Sequence, residues 1–90
     1  MVAIDPQVTE VEVLPVPETS AVALTLSNGD YNWHLFDLLG RTLAQGHEGT
    51  GAARVNVPEG LSLLEISHAG DVRVFRVAGV HQGTFVERVR

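Results

Sequence analysis

At 90 residues, with 44% apolar and 19% charged side chains, the chain has material for one folded domain and too little for two. Its 11 acidic and 6 basic residues leave a net charge of −5, which argues against a surface built to meet nucleic-acid phosphates. The absence of cysteine removes disulfides, thiolate nucleophiles and Cys-based zinc together, and no apolar run approaches the ~20 residues of a membrane span.

The opening Met1-Val2-Ala3-Ile4-Asp5-Pro6 has neither the basic nor the apolar region of an export signal. An exported parent chain is therefore expected to carry its signal elsewhere, with Met1 an expression start. Alternation of apolar and polar residues then dominates and predicts short strands separated by Gly, Pro, Asn and Asp. A first strand is expected over 8–14, with Glu10 and Glu12 on one face and Val11 and Val13 on the other. Pro15 and Pro17 are expected to end it, since proline cannot donate to a ladder. A second strand is expected over 21–27, and Ser27-Asn28-Gly29-Asp30 has the Asn-Gly signal of a type I′ hairpin turn into a third strand over 31–38.

In that third strand Tyr31, Trp33 and Leu35 share one face, and Asn32, His34 and Phe36 the other. Bulk on both faces suggests a central position. A second tight turn is expected at Asp37-Leu38-Leu39-Gly40-Arg41, with Gly40 in the left-handed conformation. The remaining strands are placed at 42–47, 53–57, 61–67, 72–78 and 84–89, with a small-residue loop over 48–52 and a hairpin turn at His68-Ala69-Gly70-Asp71. Seven or eight short strands with no helical period point to one all-β domain over 1–90. An Ig-like antiparallel β-sandwich fits best, with its core over about 8–78 and a tail or extra strand over 79–90. A small closed barrel is the alternative.

Little in the chain suggests chemistry. His34, His47, His68 and His81 are dispersed, without the converging spacing of a zinc site. Ser62 or Ser67 with His68 and Asp71 could be drawn as a triad, but no nucleophile elbow surrounds either serine. Gly46, Gly49 and Gly51 have the wrong spacing for a phosphate loop, and there is no lysine to meet a phosphate. Asp5, Asn28 and Asp30 are the candidates for a calcium ion, at a spacing that matches no calcium loop, so no cofactor is assigned. Tyr31 and Trp33 on one strand face raise glycan stacking, set against the reading of Trp33 as a core residue.

One stretch carries a signature. Trp33-His34-Leu35-Phe36-Asp37-Leu38-Leu39-Gly40-Arg41-Thr42-Leu43 joins an apolar strand, a D-x-x-G-R turn and a second strand. Val55-Asn56-Val57-Pro58-Glu59-Gly60-Leu61-Ser62-Leu63-Leu64-Glu65-Ile66 and Ala69-Gly70-Asp71-Val72-Arg73-Val74-Phe75-Arg76-Val77 follow in matching order. Over roughly 13–77 the chain resembles the type A C-terminal sorting domains of the type IX secretion system, small Ig-like sandwiches on secreted proteins of Bacteroidetes-type bacteria. Members usually have a Tyr-Pro-Asn-Pro-like opening and a Gly-x-Tyr. This chain has Leu14-Pro15-Val16-Pro17-Glu18 and Gly60-Leu61-Ser62 instead.

The resemblance implies a non-catalytic address at the cell surface or outside the cell. It would reach there through the periplasm, recognised by outer-membrane secretion machinery or a cell-surface component. Asp37, Gly40 and Arg41 would fix the hairpin, with Asp37 bonding local backbone amides. The end of the chain, with Val72, Arg73, Phe75, Arg76, Arg88 and Arg90, would be the part presented for recognition. Two other readings are an accessory Ig-like or carbohydrate-binding module of a secreted enzyme and a structural subunit pairing weakly through edge strands.

Overall fold

The computed structural model describes residues 11–26, 29–80 and 83–89. They form eight strands: β1 (Glu12–Pro15), β2 (Ala21–Leu26), β3 (Tyr31–Asp37), β4 (Thr42–Glu48), β5 (Gly51–Asn56), β6 (Gly60–His68), β7 (Asp71–Val80) and β8 (Gly83–Arg88). Two antiparallel sheets result, ordered β1-β2-β5 and β4-β3-β6-β7-β8. This is an all-β sandwich. Its sheets pair strands distant in sequence, as Ig-like Greek-key connections do.

The alternation read from the sequence explains which face of each strand is buried. Val22, Leu24 and Leu26 of β2 and Val55 of β5 meet Tyr31 and Leu35 of β3, Leu64 and Ile66 of β6, and Phe75 and Val77 of β7 in one core. Thr84 Oγ1 of β8 donates to the Thr19 carbonyl, just ahead of β2, at 2.8 Å and ties the two sheets together along one side. The Val57 amide donates to the Ser20 carbonyl at 2.8 Å and extends the β2–β5 pairing by one residue. On the other side only Gly49 and Thr50 separate β4 from β5 as the chain changes sheet.

Several local expectations are corrected. The second and third strands do not pair as a hairpin: β2 pairs with β1 and β5, and β3 with β4 and β6. That connection crosses between sheets; Ser27 and Asn28 within it lie outside the described residues, as do residues 8–10 of the expected first strand. β1 takes in Pro15, opposite Val22, instead of stopping at Leu14. This is tolerated because β1 is an edge strand, where a missing N–H leaves no ladder bond unmade. The expected loop over 48–52 shrinks to Gly49 and Thr50. The extra strand expected over 84–89 does form, as β8 paired along β7.

Candidate functional site

The β3–β4 turn is built from its own side chains. The Asp37 carbonyl accepts from the Gly40 amide at 3.0 Å, and the Asp37 amide donates to the Arg41 carbonyl at 2.9 Å. Gly40 has φ +86, the left-handed geometry that closes such a three-residue loop and that a side chain would oppose. Asp37 Oδ1 accepts from the amides of Leu39 and Arg41, both at 2.9 Å, and Oδ2 accepts from Arg41 Nε at 2.7 Å. The Arg41 amide, more than any other group, holds the Asp37 carboxyl below its ordinary 3.8. The Arg41 guanidinium and the Leu39 amide add to this against a desolvation push upward. The tip is apolar and open, with Leu39 81% exposed beside an exposed Leu38.

A second feature lies on the outer face of the five-stranded sheet. Asn32, Trp33, His34, Gln45, Gly46, Glu65 and Ser67 line a shallow groove of about 400 Å³ across β4, β3 and β6. The register pairs Asn32 with His47 and Ser67, and His34 with Gln45 and Glu65, so these polar side chains share one face. His47 Nδ1 lies 2.8 Å from Asn32 Oδ1, His47 Nε2 3.2 Å from Asp30 Oδ2, and His34 Nε2 2.7 Å from Thr42 Oγ1.

The aromatic pair does not form a glycan platform. Tyr31 is 1% exposed, because β2 and the rest of the core cover its end of β3. Trp33, between the buried Tyr31 and Leu35 on that face of β3, is half-buried against the core. Its Nε1 donates to Glu48 Oε2 at 3.3 Å. Its ring lies over Gly46, where an added Cβ would stand 2.8 Å from Nε1. By register that is the face of Tyr31 and Leu35, opposite the one that the Asn32, His34, Gln45 and Glu65 side chains share.

The end-of-chain residues are also divided. Phe75 is a core residue, which removes it from any presented surface. Val72 is exposed and Arg76 pairs with Glu87 at 3.2 Å, while Arg73 is half-buried and Arg88 exposed. Arg90 lies outside the described residues, as do Glu10, His81, Asp5 and Asn28.

The described residues include no group of three or more His, Cys, Asp or Glu placed to hold a metal ion. Ser62 is buried while Ser67 lies on the other face of β6, and His68 Nδ1 is engaged with the Asp30 carbonyl at 2.8 Å. No candidate triad is assembled. No helix of the described residues is long and apolar enough to cross a membrane. The site and fold together define a non-helical, two-sheet β-domain with a self-bonded Asp turn. The chain matches no family model, no curated protein and no solved structure.

Proposed function

We propose that this domain is a non-catalytic sorting or surface-attachment module of a secreted protein, recognised by outer-membrane export machinery. The reading rests on the resemblance of residues 13–77 to type IX sorting domains. The observation that best supports it is the Asp37–Arg41 turn. Both carboxylate oxygens of Asp37 are occupied by local donors, so its role is to hold a rigid turn rather than to do chemistry. What the turn offers outward is Leu38, Leu39 and the Arg41 side chain, a small apolar and cationic surface suited to docking.

The test is a reporter fused ahead of residues 1–90 in a host with type IX secretion. The expected result is a reporter at the surface or in the medium, and its loss in the folded variants Leu39→Asp and Arg41→Glu. Deleting residues 72–90 would be a poor control, because β7 carries Phe75 and Val77 into the core. A folded fusion retained in the periplasm would overturn the reading.

The polar groove supports a second reading, a glycan-binding module that hydrogen-bonds sugars through Asn32, Gln45 and Glu65 rather than stacking them on Tyr31. Glycan-array binding lost in Gln45→Ala and Glu65→Ala, with export unaffected, would favour it. An array without hits would remove it.

A further inference from the structure

The outer face of β7 and β8 carries an unusual load for a solvated surface. Phe85 is 68% exposed, while the other four aromatic side chains are buried or half-buried. Val80 and Val89 are also exposed there, and Val74 and Ala78 are half-buried. Between the apolar residues sits the Arg76–Glu87 ion pair. Register and alternation place Val74, Arg76, Ala78 and Val80 on the same face of β7. They put Val89, Glu87, Phe85 and Gly83 on the facing positions of β8 and just beyond it.

Each cross-strand pair on this seam joins opposites or likes in a useful way. Arg76 faces Glu87, small Ala78 faces large Phe85, and the Val89 amide donates to the Val74 carbonyl at 2.8 Å, which sets two valines side by side. A two-fold axis running along the seam, parallel to the strands, keeps every residue at its height and exchanges β7 with β8 of a second copy. The two sheets then stack face to face, aligned as sheets in sandwiches are. Arg76 of one copy meets Glu87 of the other, Phe85 enters the space above Ala78, and valine meets valine. The surface is complementary to itself in both charge and volume.

We infer that this chain pairs with a second copy of itself through the outer face of β7 and β8, about a two-fold axis along the seam between them. The contact is small, involving mainly two strands per copy, so the association is weak and depends on concentration. It is a face-to-face contact and leaves the strand edges unused. It is also independent of the export reading, since it concerns the isolated chain alone.

The experiment is sedimentation analysis of the full 90-residue chain over a wide concentration range. The mass is expected to rise from the 9.7 kDa monomer toward twice that value. Phe85→Glu, Arg76→Glu and Glu87→Arg, each shown to be folded by circular dichroism, are each expected to weaken dimerisation at least about tenfold. An equimolar mixture of Arg76→Glu with Glu87→Arg is the discriminating arm. Across the proposed axis that mixture restores two opposite-charge contacts, whereas within each chain the charges at 76 and 87 stay alike. Recovery of the dimer in the mixture supports the axis. The proposal is overturned by a chain that stays monomeric up to about 1 mM, by a dimer that survives Phe85→Glu, or by a mixture no better than its components.

Discussion

At the scale of single residues, Asp37 and Tyr31 have opposite characters. Asp37 lies in a turn of its own making, and its lowered carboxyl pKa means that the ionised form favours the folded state. Its contribution is complete above the ordinary 3.8 and is lost as pH falls through the lower native value. Asp37→Asn keeps an acceptor for the amides but loses the charge that holds Arg41. The variant is expected to melt below the parent at neutral pH, with the gap closing well below pH 3.8 in a series of thermal melts. A gap that persists in acid would mean that the turn depends on shape alone. Tyr31 is the reverse. Burial first, and the Glu48 carboxylate second, push its phenol above 10.0. The stability that the neutral phenol contributes is full below that ordinary value and is lost as pH rises through the raised native one. Its hydroxyl is buried without a hydrogen-bond partner among the described residues. Tyr31→Phe is therefore expected to stabilise the fold by about 1 kcal/mol at neutral pH and to blunt alkaline unfolding. Denaturant titration at both pH values checks this, and a destabilised variant would point to an unseen partner for the hydroxyl.

Elements made by local forces were legible in the sequence, and those made by distant ones were not. The Asp37 and Gly70 turns could be read because their determinants lie within five residues, and both join strands that pair. Asn28-Gly29 carries an equally good local signal, yet β2 and β3 belong to different sheets. A turn signal specifies a change of direction and says nothing about which sheet receives the next strand. Gly49 and Gly51 suggested a longer loop, but β4 and β5 run almost to each other, held by their pairing with β3 and β2. The polar groove was invisible for the same reason, since it draws side chains from three strands whose order only the tertiary structure sets. Tyr31, Trp33 and Leu35 share a face by parity, and parity alone does not tell that Trp33 stays half-buried between two fully buried neighbours. The β6–β7 turn offers a test at this scale. Ala69 has φ +53 and is followed by Gly70 at φ +85, so alanine occupies a position where asparagine or glycine is favoured. Ala69→Asn is expected to raise stability by about 0.5–1 kcal/mol, read from chemical denaturation. No gain would indicate that the turn relaxes away from this conformation.

For the whole molecule, the decisive fact is that neither sheet has a core of its own. The buried residues of β2 and β5 form one cluster with those of β3, β6 and β7, so among the described residues each sheet is the other's apolar cover. The outer faces are free to carry the Asp turn, the polar groove and the β7–β8 seam, because folding makes little demand on them. This separation of roles predicts that the sheets fold and unfold as one. A 90-residue domain has a total stability of roughly 5–13 kcal/mol by the usual per-residue range. Leu64 is fully buried on β6, paired on both sides with β3 and β7 and facing the opposite sheet. Leu64→Ala is expected to cost about 3 kcal/mol through lost transfer energy and the cavity left behind. That is a quarter to more than half of the total. The loss should be shared by both sheets although the substitution touches only one. Far-UV circular dichroism reports all the strands, while fluorescence of the single Trp33 reports β3 beside β4. In the variant the two denaturation curves should shift together to lower denaturant and remain superimposable. If the tryptophan signal were lost first and strand signal remained, the three-stranded sheet would have stability of its own, and the account of one shared core would fail.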